Sequence, residues 1–228
     1  ALGIIQNAEE KKLIEPGGTV VEGTFGNTGI ALTMINNARG YKTIIVMPDA
    51  ASLEKRDILR NLGAELRIVE VKPYKDPGNY QHISRRLAEE LQAKGEGSVI
   101  WANQFDNTAN YQFHAKTTAR EIYNQLDGKV DGFTCAIGTG GTLAGTSVGL
   151  KELNPDIKIA CTDPQGATMY RYFKDSVLEV TGDPSETEGI GQARVTKNVE
   201  ACLIDMAYHI SDKEAFELLY KLIKTEGL

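Results

Sequence analysis

Short apolar runs alternate with amphipathic helical stretches along almost the whole chain. The runs have the length and β-branched content of buried strands, and the stretches between them carry apolar residues at helical spacing. The predicted strands are 20–21, 43–47, 66–71, 99–102, 133–137 and 157–161. The predicted helices are 29–38, 53–61, 80–93, 110–126, 142–153 and 212–224. This alternation implies right-handed βαβ units and parallel sheets with helices on both faces.

The order of these elements predicts an α/β protein of two three-layer αβα domains with mostly parallel sheets. The early strand–helix units end near Trp101–Phe105, and a helical stretch over 107–127 leads into a second βα series. We therefore expect an N-terminal domain over 1–111 and a C-terminal domain over 112–228.

Charge and composition remove several classes of function. The 228 residues are 41% hydrophobic and 25% charged with a net charge of −6, which is typical of a folded globular protein. No basic run is present, so nucleic acid is not the expected partner. Apolar runs such as Thr43–Met47 are too short to cross a bilayer, and no leader of charged then apolar residues precedes Ala1. We expect neither a membrane partner nor a signal peptide.

The cysteines and histidines predict no metal site and no disulfide. Three widely spaced cysteines lie in apolar contexts, which is typical of buried free thiols in a reducing cytoplasm. The histidines are scattered, with no pair at ligand spacing. The residues concerned are Cys135, Cys161, Cys202, His82, His114 and His209.

A glycine-rich turn follows the predicted strand 133–137 and opens a helix. Its five residues are Gly138, Thr139, Gly140, Gly141 and Thr142. Glycines let backbone N–H groups approach an anion, and the helix N-terminus adds positive partial charge, so the turn suits a phosphate monoester. A dinucleotide site remains an alternative, because Asp163 follows the next strand; Leu143, however, occupies its third glycine position.

A second loop of small polar residues follows the strand 20–21. Its N–H groups and the hydroxyls of Thr24 and Thr28 suit a carboxylate, and Asn27 offers both a donor and an acceptor. A purely structural interpretation is that Asn27 or Thr28 caps the helix that begins near Gly29. Ligands of open α/β sheets bind beyond the carboxyl ends of the strands, where both loops lie.

The string Thr24-Phe25-Gly26-Asn27-Thr28-Gly29 resembles the asparagine loop of pyridoxal-phosphate enzymes of fold type II. Three further segments resemble that family's landmarks in the same order: 103–107, 138–142 and 188–192. The chain is thereby similar to cysteine synthases and cystathionine β-synthases, closest to the former. Dehydratases of this fold generally carry a histidine after the asparagine, where this chain has Thr28.

The resemblance implies the fold of the tryptophan synthase β-like enzymes and a role for each matched residue. Gly138, Thr139, Gly140, Gly141 and Thr142 would hold the phosphate of pyridoxal 5′-phosphate, and Asn27 its phenolic oxygen. The carboxylate of an amino-acid substrate would be bound by Thr24, Phe25, Gly26, Thr28 and Gln104, with Gly189 and Ile190 lining the wall that meets the substrate.

The implied reaction is a β-replacement. O-acetylserine loses its α-proton and acetate, and sulfide adds to give L-cysteine, while the cofactor takes up electrons. The resemblance also implies a homodimer and, for some members, the partner serine acetyltransferase.

Departures from the family pattern bear on activity. Phe25 stands in place of a small residue, which predicts a narrower substrate pocket; Ala119-Arg120 replaces Gly-Pro, and Ala193 replaces glycine. The family's Schiff-base lysine is expected just upstream of Ala1, and the serine that faces the pyridine nitrogen just after Leu228. We therefore expect that the family's terminal segments lie outside these residues and that the second domain is incomplete here, and we expect these residues alone to be inactive.

Three alternatives to the cysteine synthase interpretation stay open. A cystathionine β-synthase would condense serine with homocysteine. A non-catalytic member of the family would keep the anion loops and bind a ligand or a partner protein. A nicotinamide-dependent enzyme is disfavoured by Leu143.

Overall fold

The computed structural model describes residues 1–95 and 97–227 as two compact units. Unit 1 comprises Ala1–Ala109, and unit 2 comprises Asn110–Leu228, so the division falls two residues before the predicted boundary. No helix in these described ranges is both long and apolar enough to span a membrane.

Unit 1 is built on a four-stranded parallel sheet in the order β3-β2-β1-β4. Its elements along the chain are α1 (Leu2–Glu10), β1 (Thr19–Gly23), α2 (Asn27–Arg39), β2 (Lys42–Pro48), α3 (Leu53–Asn61), β3 (Glu65–Val69), α4 (Tyr80–Ala93) and β4 (Val99–Trp101).

Helices cover both faces of this sheet. Val20 packs with Ile4, Ile5 and Leu32 of α1 and α2, whereas its neighbour Val21 packs with the helix α4 side. Successive side chains of a strand point to opposite faces, so a strand that is buried on both sides must be apolar throughout. The result is the three-layer arrangement expected from the sequence.

Unit 2 contains a three-stranded parallel sheet in the order β5-β6-β7. Its elements are α5 (Ala109–Lys116), α6 (Thr118–Gln125), β5 (Gly132–Ala136), α7 (Gly141–Leu153), β6 (Lys158–Pro164), α8 (Met169–Asp175), a 3-10 turn (Val199–Ala201), β7 (Met206–Ile210) and α9 (Asp212–Glu226). The core of unit 2 joins α7 to the strands through Leu143, Leu150, Ile159 and Cys161.

The predicted helix over 110–126 is wrong as a single element, because it is interrupted at Thr117. The backbone there has φ −119° and ψ −75°. The hydroxyl of Thr117 donates to the carbonyl of Phe113 at 2.8 Å, and this back-bonding to the preceding turn bends helices. Helices α1 and α8 and strand β7 were not predicted from the sequence. The last is a half-exposed edge strand with Tyr208 at its centre and His209 next to it, so it has no continuous apolar run.

Helix α7 approaches α5 and α6 closely at its glycines, which gives a test of the packing. A Cβ on Gly149 would lie 2.5 Å from both the carbonyl oxygen of Ala115 and the Cβ of Ala119. Gly149→Val should therefore lower the free energy of unfolding by about 1–3 kcal/mol, the usual cost of overpacking. Glu152→Val, at an exposed position of the same helix, should change it by less than about 1 kcal/mol. Equal urea midpoints for the two variants would contradict the packing.

Candidate functional site

Both glycine-rich loops connect the carboxyl end of a strand to the start of a helix that lacks a capping side chain. Gly26 precedes α2 with φ +138°, and Gly140 precedes α7 with φ +90°; neither helix has a side-chain cap bond. By contrast, α3, α4 and α9 are capped by Ser52, Asn79 and Ser211. A helix with no capping side chain leaves its first N–H groups open to an external anion.

In unit 1 the open groups are the first amides of α2. The first intrahelical bond runs from the N–H of Ile30 to the carbonyl of Gly26 at 2.8 Å, so the amides of Asn27, Thr28 and Gly29 precede it. The capping hypothesis was wrong: α2 begins at Asn27, and Gly26 is the cap. The side chain of Asn27 is exposed in the first turn rather than folded back on the backbone.

The structure brings the predicted carboxylate-binding side chains of unit 1 together. Strand β4 lies beside β1, so Gln104, which follows β4, reaches the loop that follows β1. The hydroxyl of Thr28 donates to Oε1 of Gln104 at 2.5 Å, and Nε2 of Gln104 donates to the carbonyl of Gly23 at 3.2 Å. Oγ1 of Thr24 accepts from the N–H of Gly26 at 3.0 Å. A carboxylate would have to displace the Thr28–Gln104 bond to gain the Thr28 hydroxyl, whereas the open amides need no rearrangement.

Phe25 packs against the core of unit 1. Its ring meets that of Tyr80 edge to face, with 5.5 Å between the centroids. It also packs against the apolar cluster that contains Ile45, Met47 and Leu59. The aromatic ring anchors the loop to the sheet, and its packing does not support the narrowing of a substrate pocket that the sequence suggested.

Glu22 is a member of this site that the sequence analysis missed. Its side chain lies at the end of β1 and is 1% exposed. Burial raises its pKa to about 8, although hydrogen bonds from the side chain of Gln104 and from nearby backbone amides act in the opposite direction. Burial therefore favours the protonated, neutral form of this carboxyl group. The signal in the sequence was a charged residue inside an otherwise apolar strand.

In unit 2 the glycine-rich turn has the geometry of an anion cradle. The first bond of α7 runs from the N–H of Ala144 to the carbonyl of Gly140 at 2.9 Å, and the N–H of Gly141 is bonded to Oγ1 of Thr139 at 3.3 Å. The amides of Thr142 and Leu143 precede the first intrahelical bond. A left-handed glycine followed by open helix amides fits the terminal oxygens of a phosphate monoester.

The segment that contains Gly189 and Ile190 lies against this turn. The position of a Cβ on Gly138 is only 2.6 Å from the carbonyl oxygen of Gly189. The N–H of Gly191 bonds to the carbonyl of Ile137 at 2.8 Å, and Nε2 of Gln192 donates to that of Gly138 at 2.9 Å. Ile190 is 37% exposed. Within unit 2, two of the segments singled out in the sequence therefore adjoin each other.

Two side chains that hydrogen-bond to the turn 138–142 were not foreseen. Nδ2 of Asn110 lies 3.2 Å from Oγ1 of Thr139. Oγ1 of Thr196, a fully buried residue, donates to the carbonyl of Thr139 at 2.7 Å. Both come from segments distant in the sequence, and no local pattern marks them.

The residues behind the dinucleotide alternative have structural roles. Asp163 is fully buried at the end of β6, and its Oδ2 accepts from the N–H of Tyr170 at 2.9 Å, in the first turn of α8. Burial raises the pKa of this carboxyl group. Leu143 is part of the core of unit 2. In a dinucleotide site, Asp163 would have to bind a ribose. Here it stabilises the start of α8 instead.

The three cysteines are free thiols of low reactivity. Burial raises the pKa of Cys135 to about 11 and that of Cys202 to about 12, and it raises the pKa of Cys161 as well. Thiols with such pKa values carry little thiolate at neutral pH. Within the part of the chain that the structure describes, no group of histidine, cysteine, aspartate or glutamate side chains could hold a metal ion.

Comparison with known proteins gives a consistent family. The model of the family described as "Pyridoxal-phosphate dependent enzyme" matches residues 1–228. "Cysteine synthase 1" of Neurospora crassa is 46% identical over all of this chain and 60% of its own length. "Cystathionine beta-synthase" of Oryctolagus cuniculus is 38% identical over all of this chain and 40% of its own length. The chain therefore spans three-fifths or less of the length of these curated relatives.

A solved structure shows the same fold. The O-acetylserine-dependent cystathionine β-synthase from Helicobacter pylori has a TM-score of 0.84 and 33% identity, covering all of this chain and 70% of that one. The parallel-sheet α/β architecture and the fold type II prediction are confirmed.

Proposed function

The chain belongs to the pyridoxal-phosphate-dependent enzyme family, and from that membership we propose that the protein makes L-cysteine from O-acetylserine and sulfide. The observation that carries the proposal is the pair of helix starts, α2 and α7, that keep their first amides open behind glycine caps. The 46% identity to a cysteine synthase supports the same reaction class.

Each loop has its own part in this proposal. The turn 138–142 holds the phosphate of pyridoxal phosphate, with the amides of Thr142 and Leu143 and the hydroxyl of Thr139 as donors. When bound, the cofactor supplies an electron sink for the carbon that loses its proton. The side chain of Asn27 would hydrogen-bond the phenolic oxygen of the cofactor ring, and Gly189 and Ile190 would line the substrate wall.

The loop of unit 1 binds and orients the substrate carboxylate. The amides of Asn27, Thr28 and Gly29 donate to it, because they precede the first intrahelical bond of α2. Thr28 exchanges its bond to Gln104 for one to the substrate. Thr24 and Gly26 keep the loop in its conformation through their own hydrogen bond. The neutral state of Glu22 favours this binding, because a second negative charge beneath the loop would repel a carboxylate.

The second candidate is condensation with homocysteine to give cystathionine. It is favoured by the rabbit relative and by the Helicobacter pylori structure, both of which are cystathionine β-synthases by name. Both candidates use the same loops in this chain, and they differ in the sulfur nucleophile.

A visible absorption spectrum of the whole protein with pyridoxal phosphate, recorded before and after addition of O-acetylserine, tests the proposal. A band that shifts to longer wavelength with the substrate is expected, and turnover with sulfide should exceed turnover with homocysteine. The reverse preference would establish the second candidate. Failure to bind the cofactor would refute both and leave a non-catalytic binding protein. Residues 1–228 alone are expected to give no turnover.

The proposal extends to assembly and location. We expect a homodimer in the cytoplasm, able to bind serine acetyltransferase. Light scattering of the purified protein, alone and mixed with serine acetyltransferase, tests the dimer and the complex. A monomer that does not bind serine acetyltransferase would contradict both expectations.

A further inference from the structure

Asn110 lies against the phosphate turn from outside it. Its Nδ2 is 3.2 Å from Oγ1 of Thr139. A Cβ on Gly141 would collide with the side-chain amide of Asn110, so the glycine at this position is what lets the amide come so close. The amide therefore faces both the hydroxyl and the backbone at the start of α7.

Two donors point at the hydroxyl of Thr139. One is the side-chain amide of Asn110, and the other is the N–H of Gly141 at 3.3 Å. A hydroxyl group has two acceptor lone pairs and one proton. When both lone pairs are engaged, the proton must be donated in a third direction, away from both donors.

We propose that Asn110 is a positioning residue that directs the hydroxyl proton of Thr139 toward the phosphate of the cofactor. The inference rests on the proposed role of the turn 138–142 as the phosphate site. Asn110 does not itself touch the cofactor in this arrangement; it acts through Thr139.

The arrangement also explains why an amide suits position 110. A carboxylate in the same place would accept the proton of Thr139, turn the hydroxyl away from the phosphate, and add a negative charge near it. Asn110→Asp should thus weaken phosphate binding more than Asn110→Ala, although aspartate is nearly isosteric with asparagine.

The test is a double-mutant cycle on Asn110→Ala and Thr139→Val in the whole protein, with dissociation constants measured for pyridoxal phosphate and for pyridoxal. Each single variant should weaken pyridoxal phosphate binding roughly 10-fold or more, the loss of one hydrogen bond to a charged group. The double variant should be no weaker than Thr139→Val alone, because Asn110 has nothing left to orient. Binding of pyridoxal, which lacks the phosphate, should stay within about twofold of the wild type.

The possible results distinguish failure of the role proposed for Asn110 from failure of the proposed phosphate site. Equal losses for pyridoxal and its phosphate would show a general structural role for Asn110 and overturn the inference. Additive losses of pyridoxal phosphate affinity in the double variant would also overturn the inference. Tighter binding after Asn110→Ala would overturn it too, because the side chain of Asn110 would then be accepting the hydroxyl proton of Thr139. If the wild type binds no pyridoxal phosphate, the proposed function itself fails. Retained pyridoxal binding by a variant shows that it is folded.

Discussion

Gly140→Asp should abolish retention of pyridoxal phosphate by the whole protein. Gly140 has φ +90°, and a Cβ there would lie 2.6 Å from Cγ2 and 3.0 Å from the amide nitrogen of Val199. The side chain must therefore displace the 3-10 turn or bend toward the anion. In either case the substitution adds a carboxylate to the turn, and its negative charge repels the phosphate. We expect the dissociation constant to rise by more than about 100-fold, measured by cofactor fluorescence or equilibrium dialysis.

Two variants separate charge from backbone strain in this experiment. Gly40→Asp introduces the same residue at another left-handed glycine, φ +75°, with no atom within 4 Å of the added Cβ. It bears a comparable strain of about 1–2 kcal/mol but should leave cofactor affinity unchanged. Gly140→Ala has the steric conflict without the charge and should bind more tightly than Gly140→Asp. If Gly140→Asp bound pyridoxal phosphate with wild-type affinity, the turn 138–142 could not be the phosphate site.

The location of the loops was predictable because it follows from general properties of parallel sheets. Neighbouring parallel strands end at the same edge, so Gln104 after β4 had to approach the loop after β1. The glycines before α2 and α7 likewise predicted positions where backbone amides lack an intrahelical partner. The sequence could not decide whether Asn27 or Thr28 caps the helix, because a polar residue near a helix start fits both a cap and a first-turn position.

What the sequence did not reveal depends on tertiary contacts. Asn110 reaches Thr139 across 29 positions, and Thr196 reaches it across 57. The packing of Phe25 on Tyr80 likewise joins distant segments. Phe25 departs from the family pattern, and its large side chain suggested a narrower substrate pocket. The residue type gives the size of a side chain but not the direction in which it points. That direction is set by the core into which the ring packs.

The pH dependence of stability should report the buried state of Glu22. Its pKa is raised by burial from 4.5 to about 8 in the folded protein, while in the unfolded chain it ionises near the ordinary value. Between these two values the native state binds more protons than the unfolded state, so the free energy of unfolding falls as pH rises from about 4.5 to about 8. This group contributes its full stability below the unfolded pKa and loses it as the pH passes through the folded one. At 1.36 kcal/mol per unit, the loss is at most about 5 kcal/mol.

Glu22→Gln removes this dependence, because the amide stays neutral at every pH. Urea unfolding at pH 5 and at pH 8 should therefore show the variant gaining a few kcal/mol relative to the wild type at the higher pH. Glu10→Gln, at an exposed position on α1, is the control and should follow the wild type at both pH values. Parallel curves for Glu22→Gln and the wild type would mean that the carboxyl group is already ionised in the folded protein. The substrate carboxylate would then have to bind above a fixed negative charge, and the proposed role of the unit 1 loop would have to be abandoned.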